Sequence, residues 1–103
     1  MWLMVAFDLP THTPKQRKDY TQFRKYLQRN GFVMMQFSVY IHHFATYNKA
    51  KATAGRIQFT IPDNGKVSCF FLTDKQYGMT KHFYGQLNAD DDAIKKPEQL
   101  LLI

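Results

Sequence analysis

Asp8 is the only acidic residue among the first eighteen, and it sits near the end of an apolar run, Leu3-Met4-Val5-Ala6-Phe7-Asp8-Leu9-Pro10. A carboxylate at the exposed end of a buried strand can ligate a divalent cation. One Asp per chain is a poor site, because Mg²⁺ is held by one or two carboxylates together with waters and phosphate oxygens. Two copies of Asp8 brought together by a two-fold axis supply that set, and a metal so held polarises a phosphodiester and activates water. The plainer reading has Asp8 capping the next turn, residues 10–12, by accepting from its backbone N–H groups, of which Pro10 supplies none. His12, four residues on, acts as acid or base beside it or is an exposed loop residue.

Other reaction chemistries find little support. The four histidines, His12, His42, His43 and His82, have no zinc-site spacing, and Cys69 is the single cysteine. Asp19 falls on a predicted helix, while Asp63 and Asp74 fall in predicted turns. There is no nucleophile elbow, phosphate-binding glycine loop or dinucleotide fingerprint. The segment Asn30–Phe37 echoes the aromatic strand of an RNA-recognition motif but lacks its basic-glycine opening.

Cations point elsewhere. The net charge is +6, with a pI near 9.6. Residues 1–66 hold ten Lys and Arg against three acids, while residues 67–103 hold four against five. A basic portion beside a neutral one fits a polyanion-binding face, although a solvated surface without a partner has the same composition. Six of these cations fall between Lys15 and Arg29. Lys18, Gln22, Lys25 and Arg29 recur on one side of a helix there; Arg17 and Arg24, seven apart, line the edge of its apolar stripe. These residues are candidates for holding phosphates. A second basic cluster is Lys49, Lys51 and Arg56.

The elements that position these groups follow from breakers and periodicity. Four to eight apolar residues bounded by breakers predict a strand buried on both faces for Leu3 to Pro10, which Pro10 stops. Thr13-Pro14 predicts a helix start, with Thr as N-cap and Pro at the first helical position. Asn30-Gly31 predicts its end. Tyr20, Phe23 and Leu27 form its buried stripe. Phe32 to Ile41 reads as one strand, with Phe37, Val39 and Ile41 on one face and Gln36, Ser38 and Tyr40 on the other. A second helix is expected from near Asn48 towards Phe59, weakened by Gly55 and ended by Pro62. Pro62-Asp63-Asn64-Gly65 is a turn and Lys66 to Thr73 a strand. Asp74 is expected to cap a helical turn, Lys75 to Met79, before an extended piece near His82-Phe83-Tyr84 and an acidic loop at Ala89–Asp92. Leu100, Leu101, Leu102 and Ile103 read as a terminal strand whose apolar edge needs a partner.

That order is an α+β, ferredoxin-like split βαβ (βαββαβ) pattern with an extra C-terminal strand. At 103 residues the chain is read as one domain, 1–103, with segment 85–103 carrying a dimer-swapped or edge-pairing strand. Hydrophobic content of 45% and aromatic content of 16% argue for a packed core over disorder. The lone cysteine, in an apolar strand, predicts a reducing compartment. No stretch approaches the roughly 20 apolar residues of a membrane span. The expected location is the cytoplasm.

These segments together resemble the small CRISPR-associated protein two family, in the branch found beside single-protein RNA-guided effector nucleases. The resemblance rests on Val5-Ala6-Phe7-Asp8-Leu9-Pro10, Phe23-Arg24-Lys25-Tyr26-Leu27, Gly31-Phe32, Gln36-Phe37-Ser38-Val39-Tyr40 and Thr73-Asp74-Lys75-Gln76-Tyr77. Phe7 departs from it, since many members carry Tyr before the Asp. The resemblance implies a homodimer of ferredoxin-like folds whose terminal strands complete each other's sheets. It implies a place in the spacer-acquisition complex, where the dimer lies between two dimers of an integrase subunit and holds double-stranded DNA. The effector nuclease of the same system is a further candidate partner. Some relatives are Mg²⁺-dependent endonucleases that use the Asp at the position of Asp8.

Two classes of function therefore compete, with a plain RNA-binding module behind them. In the first, the dimer is a DNA-binding scaffold whose Arg17, Lys18, Arg24, Lys25 and Arg29 hold phosphates. In the second, paired Asp8 carboxylates hold a catalytic Mg²⁺. Many cations on one helix against one metal ligand favour the scaffold.

Overall fold

Strand β1 (Trp2–Asp8) leads into helix α1 (Pro14–Arg29), and a hairpin of β2 (Val33–Gln36) and β3 (Val39–His43) follows. Helix α2 (Tyr47–Ile57) runs into a 3-10 turn at Gln58–Thr60, ahead of β4 (Lys66–Leu72) and the short α3 (Asp74–Gly78). This computed structural model describes residues 1–86. The predicted acidic loop and the predicted strand at Leu100, Leu101, Leu102 and Ile103 lie outside the described residues. The sheet order is β2-β3-β1-β4, with every neighbouring pair antiparallel. It is the ferredoxin-like arrangement expected from the element order.

Local chemistry sets the helix ends. Thr13 caps α1 in a capping box: the Gln16 N–H donates to Thr13 Oγ1 at 3.1 Å, and the Thr13 N–H donates to Gln16 Oε1 at 3.0 Å. At the other end Gly31 takes a φ of 89° and leaves room for the His42 ring, which a Cβ there would approach to 3.0 Å. Thr46 caps α2, so the helix starts one residue before the expected Asn48. Thr73, not Asp74, caps α3, because the Gln76 side chain returns to the Thr73 N–H and completes a second capping box. No strand forms at residues 82–84.

Leu3, Val5 and Phe7 of β1 point with period two into a core completed by Phe23 and Leu27 of α1 and Ala50 and Ile57 of α2. Both helices cover this one face. Hence β1 is not buried on both sides as expected: its intervening residues Trp2, Met4 and Ala6 are only half-buried. Cross-strand register puts Val39 and Ile41 of β3 and Ser68, Phe70 and Leu72 of β4 on that second face.

The predicted single strand from Phe32 to Ile41 is instead two strands folded back on each other. Ser38 adopts a φ of 65°, and a bulge lies between Met34 and Gln36. The turn carries no glycine, so composition gives no sign of it; Ser takes the left-handed position that Gly or Asn fills more readily. Phe37 is thereby thrown to the hairpin tip and is 72% exposed, while Val39 and Ile41 keep the shared face.

Candidate nucleic-acid interface and the Asp8 depression

Asp8 ends β1 and is exposed. Leu9, directly after it, is buried against Gly65, where a Cβ would overlap the Leu9 side chain. That contact fixes the end of β1 beside the start of β4. In the register of the two strands, Asp8 stands directly opposite Lys66 and Ala6 opposite Ser68. On the other side the Phe7 N–H donates to the Ser38 carbonyl at 2.9 Å. Asp8, Lys66, Ser38 and Ser68 border a shallow depression of about 330 Å³, floored by Ala6, Phe7 and Val39. Among the described residues neither Asp8 nor Lys66 has an ion-pair partner within 4.0 Å.

The loop after Asp8 is held from the helix. The His12 N–H donates to Gln16 Oε1 at 2.9 Å, and Arg17 Nη1 donates to the carbonyls of Thr11 and His12, both at 3.2 Å. Turn-capping by Asp8 is therefore replaced by Gln16 and Arg17. His12 does not line the depression.

The other acids among the described residues lie elsewhere. Asp19 binds Lys15 at 2.9 Å. Asp74 accepts from the Met1 ammonium at 3.2 Å and lies 3.1 Å from His43 Nε2. The ammonium bond, followed by His43, holds the Asp74 carboxyl below the usual range. Asp63 lines a groove on α1. No group of three or more His, Cys, Asp or Glu among the described residues could hold a metal. Within one chain the donor set at Asp8, a single carboxylate facing a lysine, does not fit a resident Mg²⁺.

The α1 cations divide by role. Lys18, Lys25 and Arg29 are exposed, with no carboxylate within 4.0 Å among the described residues. Lys25 and Arg29 border, with Lys15, a groove of about 540 Å³ between α1 and residues Thr60–Asp63. Arg17 spends one guanidinium nitrogen on the loop. Arg24 is half-buried, its Nε shielded from solvent without a partner among the described residues, and its charge acts on Tyr40. Burial pushes the Tyr40 hydroxyl pKa up, and the Arg24 charge opposes that rise. On α2, Lys49 and Lys51 are exposed, and Arg56 Nη2 donates to Thr53 Oγ1 at 2.9 Å.

Sequence reading missed Lys66, Ser38 and Ser68 because their proximity to Asp8 comes from strand register, not spacing. The apolar second face of the sheet was missed too. There Trp2 stacks on Tyr77 with ring centroids 4.3 Å apart, and Phe70 is 46% exposed. Cys69 lies on the helix side, half-buried, and burial pushes its thiol pKa up. No described helix is long and apolar enough to cross a membrane.

Comparison with known proteins agrees with this architecture. The family profile described as "CRISPR associated protein Cas2" matches residues 1–80. A Flavobacterium psychrophilum protein named "CRISPR-associated endoribonuclease Cas2" is 44% identical over 101 residues, spanning 98% of this chain and 85% of its own length. A Parvibaculum lavamentivorans protein of the same name is 41% identical over 102 residues, spanning 99% of both chains. The crystal structure of Streptococcus pyogenes Cas2 at pH 6.5 superposes with a TM-score of 0.62. At 19% identity, it covers 82% of this chain and 100% of that one, which is a likeness of fold.

Proposed function

The chain belongs to the Cas2 family of CRISPR-associated proteins, and from that premise we propose that it is a homodimeric, DNA-binding scaffold of the spacer-acquisition complex. The observation that carries this reading is the contrast between its two candidate sites. Helix α1 presents Lys18, Lys25 and Arg29 to solvent without carboxylate partners among the described residues, whereas Asp8 stands as one carboxylate opposite a lysine. Point cations along a helix read the phosphate backbone and carry no base readout. Duplex DNA is thus the ligand of α1, and the integrase subunit of the complex is the protein partner. Arg17 and Arg24 contribute chiefly by holding the α1 entry loop and the α1–β3 contact.

The second copy of the chain docks on the open face of the sheet. That face is apolar through Trp2, Met4, Val39, Phe70 and Leu72, and the outer edge of β4 has no strand partner among the described residues. Light scattering on the full chain is expected to give twice the 12.2 kDa chain mass. Phe70→Glu is expected to shift that mass towards the monomer at micromolar concentration. A wild-type monomer under those conditions contradicts the dimer.

A second reading, a Mg²⁺-dependent endonuclease with Asp8 from both protomers at the metal, is favoured by one observation: the curated relatives are named endoribonucleases. It needs two carboxylates to converge across the dimer axis.

A further inference from the structure

Lys66 enters no account of the fold, since its side chain is exposed and outside the core. Its place is nevertheless specific. It begins β4 directly across from Asp8, on the same face of the sheet, and the two border one shallow depression. Directly opposed residues in an antiparallel pair have Cβ atoms about 5 Å apart, so their charges interact without touching. Among the described residues no other acid or histidine borders this depression, whose remaining polar side chains are the hydroxyls of Ser38 and Ser68. A carboxylate with an ammonium beside it has no net charge to offer a dication, and hydroxyls add none. Divalent-cation affinity follows the number of charged oxygen ligands.

We propose that Lys66 is a resident counter-charge at Asp8 that selects against divalent cations, so that the Asp8 depression stays metal-poor although its carboxylate is exposed. The proposal deepens the scaffold reading and rests on it only in part: the charge argument holds within one chain, and dimerisation doubles both charges together. A unit charge about 6 Å from a dication in a water-like medium changes its affinity by about tenfold at low ionic strength. Screening reduces that to about threefold near 0.1 M salt.

The test is Mn²⁺ binding to the full-length protein, followed by the electron paramagnetic resonance signal of free Mn²⁺. Lys66→Met and Lys66→Gln are each expected to tighten Mn²⁺ binding by about tenfold at low salt, with the gain shrinking as salt rises. Lys66→Arg keeps the charge and is expected to bind as the wild type does. Adding Asp8→Asn to Lys66→Met is expected to abolish the gain. Unchanged affinity in both neutral variants overturns the proposal. So does an equal gain in Lys66→Arg, which would make the effect one of packing. A cross-strand pair that serves stability alone shifts the thermal midpoint but not the Mn²⁺ affinity, and that outcome also overturns it. Failure here leaves the scaffold reading in place, because DNA binding and integration are measured without reference to Mn²⁺ affinity.

Discussion

Reversing three charges on one helix face, Lys18→Glu, Lys25→Glu and Arg29→Glu together, is expected to lower duplex-DNA affinity by two or more orders of magnitude near 0.1 M salt. All three are exposed and lack carboxylate partners among the described residues, so their charges are free to displace counterions from the DNA. Every phosphate that a cation neutralises adds about 0.9 to the slope of log affinity against log salt, so the triple variant is expected to be shallower by about 2.7 for each protomer engaged. Fluorescence anisotropy across a salt series reads both quantities, and shuffled duplex sequences are expected to bind alike. An unchanged slope moves the DNA to α2, with Lys49, Lys51 and Arg56. Lys15 is left out of the set because Asp19 already neutralises it, holding its pKa above the usual value.

The second large effect concerns the helix that carries those charges. Leu27 is fully buried in the cluster formed by β1, α1 and α2. Leu27→Ala removes three carbons from a packed site and is expected to cost about 3–4 kcal/mol, counting transfer energy and the residual cavity. Small domains hold about 5–15 kcal/mol in total, so the variant is expected to unfold at much lower urea. Phe37→Ala is the matched control. Phe37 is a larger side chain but sits at the hairpin tip, and its removal is expected to stay within about 0.5 kcal/mol. Equal costs for the two variants contradict the split of residues 32–41 into a hairpin, since a single strand would place Phe37 with Val39 and Ile41.

What was legible in the residues was whatever local chemistry fixes. Thr13-Pro14 and Asn30-Gly31 mark α1 because capping and a left-handed glycine act within one turn. The apolar run from Leu3 to Leu9 marked β1 as a strand, but that only Leu3, Val5 and Phe7 face the core depends on both helices packing on one side of the sheet. Ser38 shows where local reading ended. Its left-handed turn is stabilised by strand pairing on both sides, and no residue type announces it. The same limit hid the partner of Asp8: Lys66 lies fifty-eight positions away and becomes its neighbour only through the β1–β4 register. The cation stripe on α1 could be counted from the sequence. Its division into free charges and engaged ones, Arg17 on the loop carbonyls and Arg24 against Tyr40, needed the packed structure.

Asp8 is where the scaffold account meets its most direct test. The Asp8→Asn variant keeps the shape of the side chain and removes its charge. Its carboxylate is exposed and the following loop is held by Gln16 and Arg17, so the change is expected to cost less than about 0.5 kcal/mol in stability. The deciding measurement is integration of a duplex into target DNA by the variant, reconstituted with the proposed integrase partner and compared with wild type. The account predicts integration within about twofold of wild type, with dimer mass and duplex affinity unchanged. Loss of integration while the dimer and its DNA binding remain intact would contradict it, and would assign the Asp8 carboxylate a part in the chemistry.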